Sequence, residues 1–291
     1  MRPCPGPRPP GVAATGANID STQQISCSAC NIGFRGEEDL GGGLKAWFQL
    51  ESAIDPDEGS GTWTRRNSAV GLKGGWGTVL VGNWDTPHKR NIQDKSSFYT
   101  TTNGAYNSIF GTDGGGGTGA APASPFDNRQ GNSIQYWSPK FAGGLSVKLL
   151  YSTRTDSATA TGPGTSGEDN VWGGNITWDA KNLYVGASYE NQDDISMTAG
   201  QSNENTAYAF NASYAFLGKY RVGAIWENIE YERGGADSDR DAYGVFAVLP
   251  LEPGAVHAWY IQADDWSATS DSGADFWALG YYYNLSKRTK L

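Results

Sequence analysis

Histidine and cysteine are the side chains best suited to catalysis or metal binding at neutral pH, and this 291-residue chain holds two of the first and three of the second. His88 opens a polar loop and His257 opens a strand-like run, and neither lies in a G-x-S-x-G or H-E-x-x-H context. Cys27 and Cys30 form a C-x-x-C, with Cys4 the third. No second C-x-x-C or paired histidine completes a metal site, so the bland reading is a chance pair or a disulfide in an oxidising compartment. The acidic stretches contain no D-x-D-x-D-G calcium loop. No catalytic residue, metal or cofactor is predicted, and the expectation is a protein that is not an enzyme. What remains is the chemistry of charge facing water. Lys45, Lys148 and Arg35 each sit among polar or small residues that alternate with apolar ones.

That alternation is the property of the elements that must position them. In EDLGGGLKAWFQLE, residues 38–51, Leu44, Ala46, Phe48 and Leu50 share one face of a strand, and Lys45, Trp47, Gln49 and Glu51 share the other. Ser146 and Lys148 oppose Leu145, Val147, Leu149 and Tyr151. Tyr208, Phe210, Ala212, Tyr214 and Phe216 oppose Ala209, Asn211 and Ser213, and Trp277, Leu279, Tyr281 and Tyr283 oppose Ala278 and Gly280. Apolar outward and polar inward is the dyad of a transmembrane β-barrel. About thirteen such strands are predicted, at 25–38, 44–52, 65–74, 77–85, 131–138, 145–153, 171–179, 182–191, 206–216, 219–232, 241–250, 255–266 and 274–285. Short Gly, Pro and Asn turns alternate with long polar loops between them, as turns on one rim of a barrel and loops on the other would.

Composition agrees with strands rather than helices in a membrane. Hydrophobic residues are 38% of the chain and no window holds 18 consecutive apolar residues, but a barrel needs an apolar residue only at every second position. The 40 glycines supply turns, and Trp47, Trp137 and Trp178 read as wall or interface aromatics rather than a sugar-binding ladder. A net charge of −9 argues against nucleic acid as a partner. Residues 1–24 lack the apolar run of an export signal and read as a disordered or non-native segment ahead of a barrel at 25–291. Residues 86–128, with four glycines at 114–117, are too long for a simple connection and are expected to be functional.

Five stretches carry a family resemblance: GFRGEEDLGGGLKAWFQLE at 33–51, RNSAVGLKG at 66–74, GTVLVGNWDTP at 77–87, NSIQYWSP at 132–139 and YNLSKRT at 283–289. In these the chain resembles the general diffusion porins of Gram-negative outer membranes. The resemblance implies an all-β, sixteen-stranded antiparallel barrel and a homotrimer embedded in outer-membrane lipid and lipopolysaccharide. It implies passive diffusion of small hydrophilic solutes and ions, with the loop at 86–128 folded inward as a constriction. Wall basics would then face loop acids across the channel. Arg35, Arg66 and Arg129 match basic positions of such porins, Lys45 and Lys148 join them by parity, and Asp94, Asp113 and Asp127 are the candidate acids.

Two departures accompany the match. Asn31 and Asn83 stand where many relatives have arginine, so the basic ladder is thinner and ion selectivity is left open. The family's first strand is not recognisable before residue 20 and a closing strand with a terminal aromatic is absent, so the natural protein is expected to be longer at both ends. Among rival architectures, a propeller would show a repeat of fixed length, and none is found. A barrel that binds or adheres through its outer loops without a general pore is the alternative that single-channel conductance would separate.

Overall fold

The computed structural model describes residues 30–96, 106–111, 126–153, 170–193, 204–233 and 236–287. Their strands are β1 (Asn31–Gly41), β2 (Leu44–Asp55), β3 (Ser60–Thr62), β4 (Ser68–Gly74), β5 (Gly77–Asp85), β6 (Arg129–Trp137) and β7 (Leu145–Thr153). They continue with β8 (Asn170–Ala180), β9 (Leu183–Asp193), β10 (Glu204–Phe216), β11 (Tyr220–Arg233), β12 (Ala236–Leu251), β13 (Gly254–Ala263) and β14 (Ala274–Tyr283). All pair antiparallel in chain order from β1 to β14, except that the short β3 folds back only on β2. All thirteen predicted strands are present. Several predicted starts move: the strand expected from 25 is described from Asn31, the one expected from 241 begins at Ala236, and the one expected from 65 begins at Ser68, because β2 runs on to pair with β3 and Arg66 is caught on the Glu51 carboxylate.

The sheet is inside out by the standard of a soluble protein. Phe48, Leu149 and Leu279 are 42%, 52% and 68% exposed, whereas Ser133, Gln135, Asn175, Ser188, Asn211 and Glu227 on the opposite face are buried. An apolar outer surface of this extent has hydrocarbon as its solvent, and a closed or continuous strand ladder is what satisfies the backbone there. Two aromatic bands bound it. Tyr151, Trp172, Tyr208, Tyr243, Tyr260 and Trp277 lie toward the long loops, and Trp76, Trp178, Tyr214, Tyr281 and Tyr283 lie toward the short turns. Rings of amphipathic aromatics at two heights are how a barrel meets the two membrane-water interfaces. Val81 and Ile134 face each other across β5 and β6 midway between the bands. Replacing Ile134 by Arg is expected to cost about 2–4 kcal/mol of folding free energy into a bilayer. Urea unfolding of the protein refolded into vesicles measures it, with Gln49→Arg, on the inner face, as the control that changes little.

Short turns follow from residues that accept a left-handed backbone. The β10–β11 link is Leu217, Gly218 and Lys219, in which Leu217 and Gly218 take φ of 50° and 72° and the Lys219 amide donates to the Phe216 carbonyl, a tight turn whose twist matches its strands. Where the sequence suggested only a long loop, the chain forms α1 (Pro87–Gln93). Thr86 caps it by accepting from the Lys89 amide, and Pro87 occupies its first turn.

α1 lies against the inner faces of β7 to β10. Asn175 donates to the Pro87 carbonyl at 2.8 Å, Asn91 donates to Ser188 Oγ at 3.0 Å, and Asn211 donates to the Asn91 carbonyl at 2.7 Å. Ile92, Tyr106, Ile109 and Phe110 then cover an apolar patch on β10 to β13 made by Ala209, Ile225, Ala242, Phe246, Trp259 and Ile261. Here both faces of the strands are apolar, so the simple inward-polar rule gives way where the loop docks. Burying such side chains contributes on the order of 1.5–3 kcal/mol each.

Candidate functional site

The docked helix and the wall beside it carry the charges. Lys148, midway along β7, reaches Asp94 at the C-cap of α1, with Nζ 3.7 Å from Oδ2. Arg90, one turn earlier on α1, pairs with the same carboxylate and also donates to Gln93 Oε1 at 3.0 Å. Lys95 follows Asp94 and approaches Asp179 at 3.3 Å, a carboxylate it shares with Lys140 at 2.8 Å. Each of these two carboxylates is therefore bracketed by two cations. Arg35 lies on the inner face of β1 opposite Gln49, lines a cleft of about 550 Å³, and has no ion-pair partner among the described residues.

The other predicted residues fall elsewhere. Lys45 and Lys73 share Glu37 beside the β1–β2 turn, at the rim of the short turns. Arg66 and Arg129 lie toward the long loops. Arg66 holds Glu51, while Arg129 meets Asp85 at 3.2 Å and donates to Asn67 Oδ1 at 3.0 Å. Asn67 in turn donates to Asp85 Oδ2 at 2.8 Å, so these groups form one neutralised network. The Asp127 side chain is 5% exposed and faces protein, with Lys89 Nζ at 3.4 Å and hydrogen bonds from Tyr106 and Asn107. Burial and the adjacent Asp127 charge push the Tyr106 hydroxyl well above its usual range, so it remains a donor to that carboxylate. Asp113 lies outside the described residues. The seven described candidates therefore do not form a single ring. Lys148 and Asp94 are brought together, Arg35 stands apart on the inner face of β1, and the other four serve the rims or anchor the loop.

Sequence reasoning missed Lys89, Arg90, Lys95 and Asp85. The signal was present in TPHKRNIQ, a Thr-Pro capping start followed by six residues free of glycine. Of the three tryptophans read as wall or interface aromatics, Trp178 lies at the short-turn interface and Trp47 and Trp137 lie on the inner wall, where parity already put Trp47 beside Lys45. Trp47 and Trp137 point inward, with Trp84 between them at ring-centroid distances of 5.8 and 5.5 Å. Cys30 is disulfide-bonded, its partner lying outside the described residues.

A strand meander greasy toward lipid, polar within, and carrying a docked helix with ionised groups on its inner side defines an outer-membrane channel. The family model described as Gram-negative porin matches residues 11–291. Outer membrane porin protein 32 of Delftia acidovorans is 31% identical over 270 residues, covering 91% of this chain and 72% of that one. The solved anion-selective porin from Comamonas acidovorans superposes with a TM-score of 0.77 at 29% identity, over 91% of this chain and 77% of that one. The trimer form of OmpT from Vibrio cholerae shares the fold, with a TM-score of 0.70 at 16% identity over 93% and 80%. The chain belongs to the Gram-negative porin family. It is an outer-membrane protein whose water-filled lumen serves passive diffusion of small hydrophilic solutes and ions.

Proposed function

We propose that the narrowest part of this lumen lies between the α1 end of the loop at 86–128 and the wall bearing Arg35 and Lys148, and that it favours anions. The two-to-one bracketing of Asp94 and Asp179 by cations carries the reading, together with Arg35, which has no ion pair among the described residues. In water-filled confinement each local excess charge raises the concentration of counter-ions at its own position, whatever the net charge of the chain. The overall −9 therefore does not decide selectivity. The protein acts as a homotrimer in outer-membrane lipid and lipopolysaccharide, without a cofactor and without catalysis, its partners being solutes in transit. The trimer rests on the family resemblance and on the trimeric Vibrio relative. Among the described residues no cluster of three metal-ligating side chains occurs.

Arg35 and Arg129 should respond differently. Arg35→Gln removes a positive charge with no ion pair among the described residues, whereas Arg129→Gln removes one already neutralised by Asp85. In a salt gradient across a planar bilayer, Arg35→Gln is expected to shift the reversal potential toward cations by severalfold in permeability ratio, and Arg129→Gln by much less. A larger shift for Arg129 would move the selective section toward the long-loop rim.

A further inference from the structure

Three tryptophans inside the lumen have no task in ion diffusion. Trp47 on β2, Trp84 at the end of β5 and Trp137 on β6 form a continuous strip on the inner wall, with interplanar angles of 82° and 60° between successive rings. All three are half-buried, and all three line the cleft that also holds Arg35, Gln49, Lys73 and Thr78. An indole gains nothing from facing a water-filled channel, and lipid cannot reach these. The wall is shaped to hold them. Trp47 pairs with Gly71 in the β2–β4 register, and a Cβ on Gly71 would come within 2.7 Å of Trp47 Nε1, so only glycine lets the indole lie against the strand. Trp137 is fixed by its Nε1 donating to Gln135 Oε1 at 3.0 Å.

Cations stand at both ends of the strip. Lys148 Nζ sits 5.8 Å from the Trp137 ring centroid at one end, and Arg35 stands beside Trp47 at the other, where Lys73 is already held by Glu37. An apolar planar surface flanked by positive charge matches a small solute with an aromatic face and an anionic group. We infer that the Trp47–Trp84–Trp137 strip is a binding subsite for aromatic carboxylates, which dwell there as they cross the lumen. The inference rests on the reading of this barrel as an open channel. The ring stacks on indole while the carboxylate meets Lys148 or Arg35, and neither contact alone is strong.

The test uses the full-length porin in a planar bilayer carrying KCl current, with benzoate as probe. Acetate supplies the charge without the ring, benzyl alcohol the ring without the charge, and glucose neither. Benzoate is expected to interrupt the current at concentrations about fivefold below the other three. Trp84→Leu should raise the half-blocking benzoate concentration about threefold to tenfold, Trp84→Phe should raise it less, and the KCl conductance of both should match the parent. Equal potency of benzoate and acetate overturns the proposal, as does equal loss in the Leu and Phe variants, which would make the strip mere packing. Stronger block by glucose overturns it in favour of a neutral sugar subsite. Loss of KCl current in the Trp84 variants moves the same comparison to Trp47→Leu and Trp47→Phe. Absence of KCl current from the parent porin would instead overturn the channel reading beneath it.

Discussion

Reversing Lys148 and Arg35 together to Glu should invert the ion preference of the channel. A unit charge about 6 Å from a passing ion is worth about 0.7 kcal/mol in water, so changing +1 to −1 amounts to about 1.4 kcal/mol, or tenfold in local ion concentration. Screening trims this, with a Debye length near 10 Å at 0.1 M salt and about 3 Å at 1 M. At 0.1 M screening leaves about 0.8 kcal/mol, so beside each reversed charge the anion concentration falls and the cation concentration rises about threefold to fourfold. The anion-to-cation permeability ratio from reversal potentials is therefore expected to fall by about tenfold at 0.1 M and by much less at 1 M. Lys148→Gln should give an intermediate value, since it leaves Arg90 alone on Asp94. A double reversal without effect at low salt would show that ions cross away from this wall.

The barrel itself was readable from the chain because one physical rule acts on every strand. With hydrocarbon outside and water inside, each position has a fixed requirement that a period of two satisfies, and Phe48, Leu149 and Leu279 obey it as plainly in sequence as in space. The constriction is different in kind. Whether Asp127 meets water or Lys89 depends on how residues 86–128 fold across a wall contributed by β7 to β13, and no local periodicity encodes that. Parity puts Lys45 and Lys148 on the same face, but it carries no height along the barrel axis. That is why one lies at the turn rim with Glu37 and the other meets Asp94. The apolar inner patch could have been noticed. Ile225 and Ile229 fall on the face that parity makes inward, a violation that marks a place where something covers the wall. The inward tryptophans are the same kind of exception: parity puts Trp47 on the polar face with Lys45, but aromatic content alone does not say which wall or interface position an indole takes.

Glu227→Ala should release the loop from the wall. Glu227 is fully buried on the inner face of β11, where its two carboxylate oxygens accept from the Gly111 amide at 3.1 and 2.8 Å and Oε1 lies 3.1 Å from His88 Nε2. The His88 ring is held on its other side by Ser188 Oγ at 3.2 Å, and Arg240 donates to the Ile109 carbonyl at 2.7 Å nearby. One carboxylate thus joins the start of the loop, through His88 on α1, to its later part at Gly111. Truncating it strands a buried amide and a buried imidazole at once. Each unsatisfied group costs about 1–3 kcal/mol, and together they rival the apolar docking of Ile92 and Phe110. Glu227→Gln keeps an acceptor for Gly111 and should lose markedly less. The strands of the wall keep their own ladder, so the expected signature is a barrel that resists unfolding while its channel changes. Single-channel conductance should rise with added noise, and liposome swelling should admit larger oligosaccharides in the Ala variant than in the Gln variant. An Ala variant with parental conductance and size limit would mean that the apolar patch alone holds the loop, and that the buried Glu227 contacts contribute nothing to the width of the pore.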